Sequence, residues 1–528
     1  MQTDVLVVGA GPTGLMLAHE LALAGVRSVV VDRLAERSGQ SKAGNLQPRS
    51  VEVLDLRGLL APLEARGLGK RLPHGGHFAL LPVPLDYTTW PTRHPYQIEI
   101  PQLRLERFLE EQLEAKDVPV LRPLEVTELE QDAEGVTATA AGPDGEVQLR
   151  ARYLVGCDGA HSTVRKLVRA AFPGRSGSIG AVLADVVLAP SAGEVPAERR
   201  HLRQYVRARQ DVWTVLLPLG NSVWRFMFGS AEQQGVPREA PVTQAEVQRA
   251  LDASYGPEVR LEEVRFASRF TDASRQVEQY RHGRVLLAGD AAHVHLPLGG
   301  QGMNLGLQDA FNLGWKLAGE VHGWAPEALL DSYHAERHPV GARVLENTNA
   351  QGALNRMDEE TASLRAIFTE LMQGAEANRI LAGMVSGLDV AYQIAGACTH
   401  PLLGRWVPDL EIHTAHGICR VSELMRRARG LLLEPGDPAA GKGSALSAFG
   451  AAAAAWAARV DHVVGGRDEA GGGKAMLVRP DGHVCWVAPE ADQGPGRASE
   501  LGGPDGTPGD AEEGLEEALE RWFGPQAQ

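Results

Sequence analysis

DVLVVGAGPTGLMLAHELALAGVRSVVVDR, residues 4–33, decides the fold. Val5, Leu6, Val7 and Val8 form the short apolar run that a buried parallel strand requires. Gly9, Gly11 and Gly14 follow with G-x-G-x-x-G spacing. In such a turn the first glycine permits the tight bend. The second lets the backbone approach a pyrophosphate, and the third lets the helix pack close to the strand. The helix opens near Pro12 and Thr13, where unpaired N–H groups and the helix dipole favour phosphate charge. Leu15, Leu17, Ala18, Leu21 and Ala22 supply its inward face. A second apolar strand, Val29 to Val31, ends at Asp32, 18 residues beyond Gly14 and near the roughly 20 expected of a ribose-binding acid. Strand, glycines, helix, strand and acid in that order predict a dinucleotide-binding βαβ unit.

A second segment, GRVLLAGDAAHVHLPLGGQGMNLGLQDAFNLGWKLA at residues 283–318, matches the first in kind. Val285, Leu286 and Leu287 read as a buried strand. Asp290 follows its carboxyl end, where open α/β sheets bind ligands and a carboxylate can accept hydrogen bonds from ribityl hydroxyls. Pro297, Leu298, Gly299, Gly300, Gln301 and Gly302 make a loop, and Met303 to Leu317 reads as helix. The first amides of that helix would face the pyrimidine edge of a flavin and stabilise negative charge near N1 of its reduced form. Between the two segments lies YLVGCDGAHSTVRK, residues 153–166, a strand leading to Asp158-Gly159, then Ser162 and Arg165. Alone, this stretch also suits a plain strand–turn–helix connection with a surface arginine. The two outer segments together describe a site for a long dinucleotide with a reactive ring at its far end, which points to FAD.

The motifs G-x-G-x-x-G, D-G-x-x-S-x-V-R and G-D-A-A-H…P-x-G-G-Q-G-M-N together resemble the single-component (class A) flavoprotein aromatic hydroxylases of p-hydroxybenzoate hydroxylase fold, over roughly residues 1–400. Within them the chain is similar to the aromatic polyketide hydroxylases. The resemblance implies an α/β fold: a Rossmann-like FAD-binding domain, an interleaved substrate domain with a β-sheet, and a thioredoxin-like C-terminal domain lacking C-x-x-C. It also implies roles by position. Asp32 would hold the adenosine ribose, with Arg33 beside the adenine. Gln102 would reach the ribityl and phosphate region, and Val126 would join the cofactor contacts. Lys42 falls near the pyrophosphate, and Asp158 is implicated in flavin and NADPH binding. Asp290 would bind the ribityl chain. Gly299, Gly300, Gly302, Met303 and Asn304 would line the flavin ring. Pro297 and Gly299 would stand at the oxygen-reaction face and Arg49 close to the ring. Leu296, where some relatives have a second proline, and Asp32, where glutamate is commoner, depart from the pattern.

Domain boundaries follow from the motif positions. The FAD domain is expected at 1–72, 98–176 and 275–350. The substrate domain and its helices are expected at 73–97, 177–274 and 351–399, and the C-terminal domain at 400–528. Residues 181–188, 212–218 and 222–229 suit strands of a sheet that, in the family, roofs the substrate cavity. Trp224, Phe226 and Phe228 share one strand face and read either as core or as a substrate-binding wall. His77 and Trp90, in the first insertion, are further substrate-binding candidates, and no metal-ligand spacing accompanies them.

The 528 residues suffice for two or three domains, and a net charge of −15 argues against nucleic acid and anionic membrane surfaces as partners. No apolar run reaches the roughly 18 residues of a membrane-spanning helix, and the N-terminus enters the first strand at once, leaving no room for a signal peptide. Cys157, Cys398, Cys419 and Cys485 lack metal or redox spacing and read as reduced thiols of a cytoplasmic protein. A homodimer is possible on this reading. No paired carboxylates, Ser-His-Asp set or metal cluster stands out, which leaves the chemistry to the cofactor. The resemblance implies that NADPH is the transient reductant and that O2 supplies one oxygen atom to a phenolic, polyketide-like ring through a flavin C4a-hydroperoxide. Alternatives are Baeyer–Villiger oxygen insertion into a polyketide ketone, hydroxylative inactivation of an aromatic antibiotic, and a non-enzymatic flavin-binding scaffold.

Overall fold

The computed structural model describes residues 1–526 except 38, 40–42, 73–74, 178–179, 191–194, 197, 199–201, 210–211, 221, 238, 357, 395–399, 437–447, 468–472 and 489–507. Lys42 and Cys398 therefore lie outside the described residues. The valine-rich run at the N-terminus becomes the centre of a parallel sheet. Gln2–Val8 pairs with Ser28–Val31 on one side and with Gly145–Gly156 on the other. Val120–Leu121 extends the first side and Val285–Leu287 the second, again in parallel. The chain thus leaves the central strand in opposite directions, which opens a crevice at the strands' carboxyl ends. A hairpin, Glu125–Gln131 and Val136–Gly142, continues the sheet from the outer half of Gly145–Gly156. Val126 belongs to this hairpin and is buried in the core opposite Ala140, away from the crevice. Its expected cofactor contact is corrected on that ground: strand alternation turns it inward.

Two helices cover one face of the sheet. Pro12–Leu23 follows the glycine turn, and Gly302–His322 follows the glycine-rich loop. They pack closely: a Cβ on Gly314 would lie 2.4 Å from Cβ of Glu20. A second, antiparallel sheet stands over the crevice, in the order Val206–Arg209, Val212–Gly220, Val223–Gly229, Gly180–Leu188, Leu261–Thr271. Helix Gln244–Tyr255 packs on its far face through Val247 and Leu251. Phe226 and Phe228 lie in that far-side core, fully buried, with ring centroids 5.1 Å apart. The half-buried Trp224 packs against the same core and donates its indole N–H to Pro196 O at 2.9 Å. The aromatic stripe is therefore packing and not a substrate wall, and the alternate residues Arg225 and Met227 face the crevice.

The last domain has its own sheet. Gly430–Pro435 and Val460–Arg467 pair in parallel, and Met476–Val478 and Val484–Val487 add an antiparallel hairpin before helix Pro508–Phe523 closes the chain. This β-α-β, β-β-α order is thioredoxin-like, and Cys419 and Cys485 are free thiols. No helix among the described residues is long and apolar enough to cross a membrane.

A buried ionic network docks this domain. Arg479, fully buried, donates to both carboxylate oxygens of Glu336, at 2.6 and 2.8 Å, and pairs with Asp481. Lys316 Nζ reaches Glu336 at 2.7 Å. Arg57 pairs with Glu20 at 2.8 Å and donates to the carbonyls of Met425 and Pro480. The buried Arg479 guanidinium holds the Asp481 carboxyl well below the usual carboxylate range against the opposing effect of burial. Arg479→Met should leave Asp481 without its cation and Glu336 with Lys316 alone, at a cost of about 3–5 kcal/mol. The outcome expected in urea unfolding is an earlier transition for the C-terminal domain.

Candidate active site

The crevice between the two sheets is one cavity of about 1820 Å³, running from Gly11, Pro12 and Thr13 past Gln102 and Asp290 to the loop at Pro297–Met303 and the antiparallel sheet. Ordinary small-molecule pockets are about 300–1,000 Å³. This one has room for a dinucleotide and a polycyclic ligand together.

At its near end two of the three glycines have steric reasons within the protein, and the third opens on the cavity. Gly9 has φ +109°, and a Cβ there would lie 2.4 Å from Cys157 O. A Cβ on Gly14 would lie 2.0 Å from Gly9 O. Gly11 has nothing within 4 Å of its Cβ position and lines the cavity. The helix that starts at Pro12 has no side-chain cap. Its unsatisfied amides and positive end suit a pyrophosphate. Asp32 braces this turn: its Oδ2 accepts from Ala10 N at 2.8 Å and its Oδ1 from Leu34 N at 2.9 Å. Neither Asp32 nor the exposed Arg33 lines the cavity itself. Gln102 does, with its Oε1 accepting from Ala43 N and its Nε2 donating to Glu106.

The middle motif ties the near end to the far end. Asp158 Oδ2 accepts from Thr163 N and Val164 N at 2.6 and 3.0 Å, while its buried Oδ1 has no partner among the described residues. Ser162 caps the following helix, accepting from Arg165 N. Arg165 then donates to Ala291 O and Ala160 O, so it joins the D-G turn to the G-D turn. Cys157, Gly159 and Ala160 line the cavity beside them.

At the far end Asp290 is exposed to the cavity, and Gly299 and Gly300 take left-handed φ of +73° and +64°. The loop is pinned from behind. Gln47 Nε2 donates to Gly299 O at 2.6 Å, and Asn304 Nδ2 donates to Gly300 O at 2.8 Å and to Asn45 O at 3.1 Å. Asn304 Oδ1 accepts from Gln47 N. The expectation that Asn304 lines the ring site is thus corrected, because its amide is spent on bracing the loop. Pro297, Gly299, Gly300, Gly302 and Met303 do line the cavity. The helix from Gly302 has no side-chain cap either, so a second helix N-terminus faces the same space.

Beneath the loop sits Asp309, fully buried. Its Oδ2 accepts from Gly289 N at 3.1 Å and meets His293 Nε2 at 2.7 Å, and its Oδ1 accepts from Arg337 Nε at 2.8 Å. Arg337 and His293 hold its carboxyl below the usual range although burial pushes the other way. Asp309, Arg337 and Gln47 were not singled out in the sequence. A signal existed in Asp309, Asn312 and Lys316, polar residues on one face of an otherwise apolar helix.

Of the three remaining candidates, two lie outside the cavity. Arg49 is buried behind the cavity, donating to the carbonyls of Gly387 and Leu388 at 3.3 and 3.2 Å, pairing with Glu52, and stacking over Trp406 at 4.2 Å. Its expected place close to the ring is corrected, since its helix turns this position toward the C-terminal domain. Trp90 donates to Arg379 O and packs with Phe78 and Leu388, outside the cavity lining. His77 does line the cavity.

An FAD-binding domain model matches residues 2–348, and an aromatic-ring hydroxylase C-terminal model matches residues 400–526. Along its whole length the chain is 45% identical to anhydrotetracycline monooxygenase of Streptomyces rimosus, all of which it covers. It is 43% identical to rifampicin monooxygenase of Streptomyces venezuelae, across 93% of this chain and 96% of that one. The solved structure of OxyS anhydrotetracycline hydroxylase from Streptomyces rimosus superposes with a TM-score of 0.87 over both complete chains, at 44% identity.

Arg49→Ala should leave the cavity and its cofactor capacity intact while removing a buried ion pair and two carbonyl contacts. The expected result is a yellow protein with an unaltered flavin spectrum and a lowered melting temperature; loss of flavin would instead place Arg49 at the ring.

Proposed function

Because the chain belongs to the FAD-dependent aromatic-ring hydroxylases, we propose that it hydroxylates a fused-ring aromatic polyketide. One atom of O2 enters the substrate and the other leaves as water, with NADPH as the source of electrons. The observation that carries this reading is the large cavity between the two sheets. It runs from the glycine turn at Gly11 to a sheet wall that presents Leu183, Leu217 and Met227. A planar polycyclic body fits against such a wall, and the loop at Pro297–Gly302 faces the same space. The curated relatives act, by their names, on anhydrotetracycline and rifampicin.

When bound, FAD supplies the two-electron chemistry that activates O2. The chain's residues do the rest. Gly11, Pro12 and Thr13 receive the pyrophosphate at an uncapped helix end. Asp290 accepts from ribityl hydroxyls, and Asp32 holds the turn that faces the adenosine. The second uncapped helix, at Gly302, would favour negative charge on a flavin ring bound beside it. Pro297, Gly299 and His77 line the same cavity, where the first two would meet the flavin ring and His77 the substrate. The sheet excludes water, so that the bound ring meets the oxygen at close range. The reading places the enzyme in the cytoplasm, where NADPH is regenerated.

Asp290→Ala should lower FAD retention by about tenfold or more, since one lost charged acceptor is worth about 1.5–3 kcal/mol. Equilibrium dialysis of the purified variant against FAD measures this, and wild-type retention would remove Asp290 from the site. The reaction itself is tested by reducing the enzyme with NADPH without oxygen, then admitting O2 with anhydrotetracycline or an angucycline present. A product heavier by one oxygen with its rings intact is expected. A lactone of the same mass would mean Baeyer–Villiger insertion, and NADPH oxidation indifferent to every polyketide would refute the substrate class.

A further inference from the structure

The sheet wall of the cavity carries an ion pair where an apolar contact would serve. Leu183, Leu217, Met227 and Ala267 line the cavity from four strands, and among them stand Asp185 and Arg225. The two are register partners across the strands Gly180–Leu188 and Val223–Gly229. Arg225 Nε donates to Asp185 Oδ1 at 2.8 Å and its Nη2 donates to Oδ2 at 2.9 Å. The side chains are only 9% and 16% exposed.

Removing two charges from water costs several kcal/mol per ion, and apolar residues of similar size often hold a structure at least as well. The far face of these same strands is held by Val182, Ala184, Val186, Phe226 and Phe228. Sheet stability therefore gives no reason for the pair. Its position on the cavity face does. The nearby Arg269 differs, because it spends its donors on Glu246 and on the carbonyls of Ala240 and Pro241. Once the fork between Arg225 and Asp185 is made, Nη1 of Arg225 has no acceptor among the described residues. Each Asp185 oxygen keeps a lone pair. The wall thus shows a ligand one donor beside one acceptor.

We propose that Asp185 and Arg225 recognise the keto–enol edge of the substrate: a ring carbonyl with a hydroxyl on the neighbouring peri or β carbon. Arg225 Nη1–H donates to the carbonyl oxygen. The hydroxyl hydrogen is shared between that carbonyl and Asp185. The two contacts stop a planar ring system from rotating in its own plane, and so select which ring carbon faces the loop at Pro297–Gly302. The pair is a specificity determinant and takes no part in the chemical step. This inference rests on the cavity's being the polyketide site.

The test uses the FAD-loaded protein and two probes, 1,8-dihydroxyanthraquinone and its 1,8-dimethoxy ether, titrated by difference absorbance. The ether keeps the carbonyl and loses the donor. Wild type should bind the dihydroxy compound about tenfold more tightly, the usual order for one well-placed contact to a charged group. D185L/R225M removes both charges and keeps volume, so no orphaned ion opposes folding. It should bind both quinones alike, retain its FAD, and show a raised KM for anhydrotetracycline with more NADPH spent per oxygenated product. R225K, which keeps the charge and loses the fork, should fall between. A double variant with the wild-type preference, or a wild type that binds both quinones equally, would overturn the proposal. So would loss of FAD from the double variant, which would make the pair structural. A wild type that binds neither quinone nor anhydrotetracycline would instead overturn the polyketide reading beneath it.

Discussion

The buried carboxylate of Asp309 is the constraint on which the far half of the site depends. It collects a backbone N–H from Gly289, a ring nitrogen from His293 and a guanidinium N–H from Arg337. Those groups belong to the end of a parallel strand, the strand leading into the glycine-rich loop, and the second long helix. An ionised group in such a place is tolerated only when its oxygens are satisfied, and here three partners satisfy them. The loop before Gly302 therefore has both ends tied to one point. Left-handed glycines can then set its path without leaving it free to collapse into the cavity.

The C-terminal domain extends the same logic. Glu336 and Arg337 are adjacent on helix Asp331–Ala353; one takes Arg479 of the last domain and the other takes Asp309 under the loop. The helix that backs the cofactor cavity is thus fastened from both sides. Arg57 adds a second tie, linking Glu20 on the first helix to carbonyls of the last domain. Such pairs add little net stability over an apolar interface, but each fixes one relative placement of the parts it joins. A thioredoxin-like domain without a redox pair has, in this arrangement, a structural use as a brace.

The same economy governs the buried arginines. Arg49, Arg57, Arg337 and Arg479 are all buried and committed to carbonyls, carboxylates or aromatic rings. Arg225 keeps a donor with no acceptor among the described residues, because its strand neighbour occupies only two of its nitrogens. Sequence position gives no hint of that difference.

What could be read in the chain alone was whatever short-range spacing dictates. The glycine turn at 9–14, the strand ends at Asp32, Asp158 and Asp290 and the loop at 297–302 are contiguous patterns, and each strand or turn imposes its own residue types. Strand alternation even showed that Trp224, Phe226 and Phe228 share a face. It could not show which face meets the ligand, because both faces of that sheet are covered, one by helix Gln244–Tyr255 and one by the cavity. Tertiary structure decided this, and it also turned Arg49 toward Trp406 and Val126 into the core. It gave Asp309 three partners lying 20, 16 and 28 residues away in the chain. A buried polar group takes whatever partner the fold brings within hydrogen-bonding distance, and that distance is set by packing between elements, which no local period records.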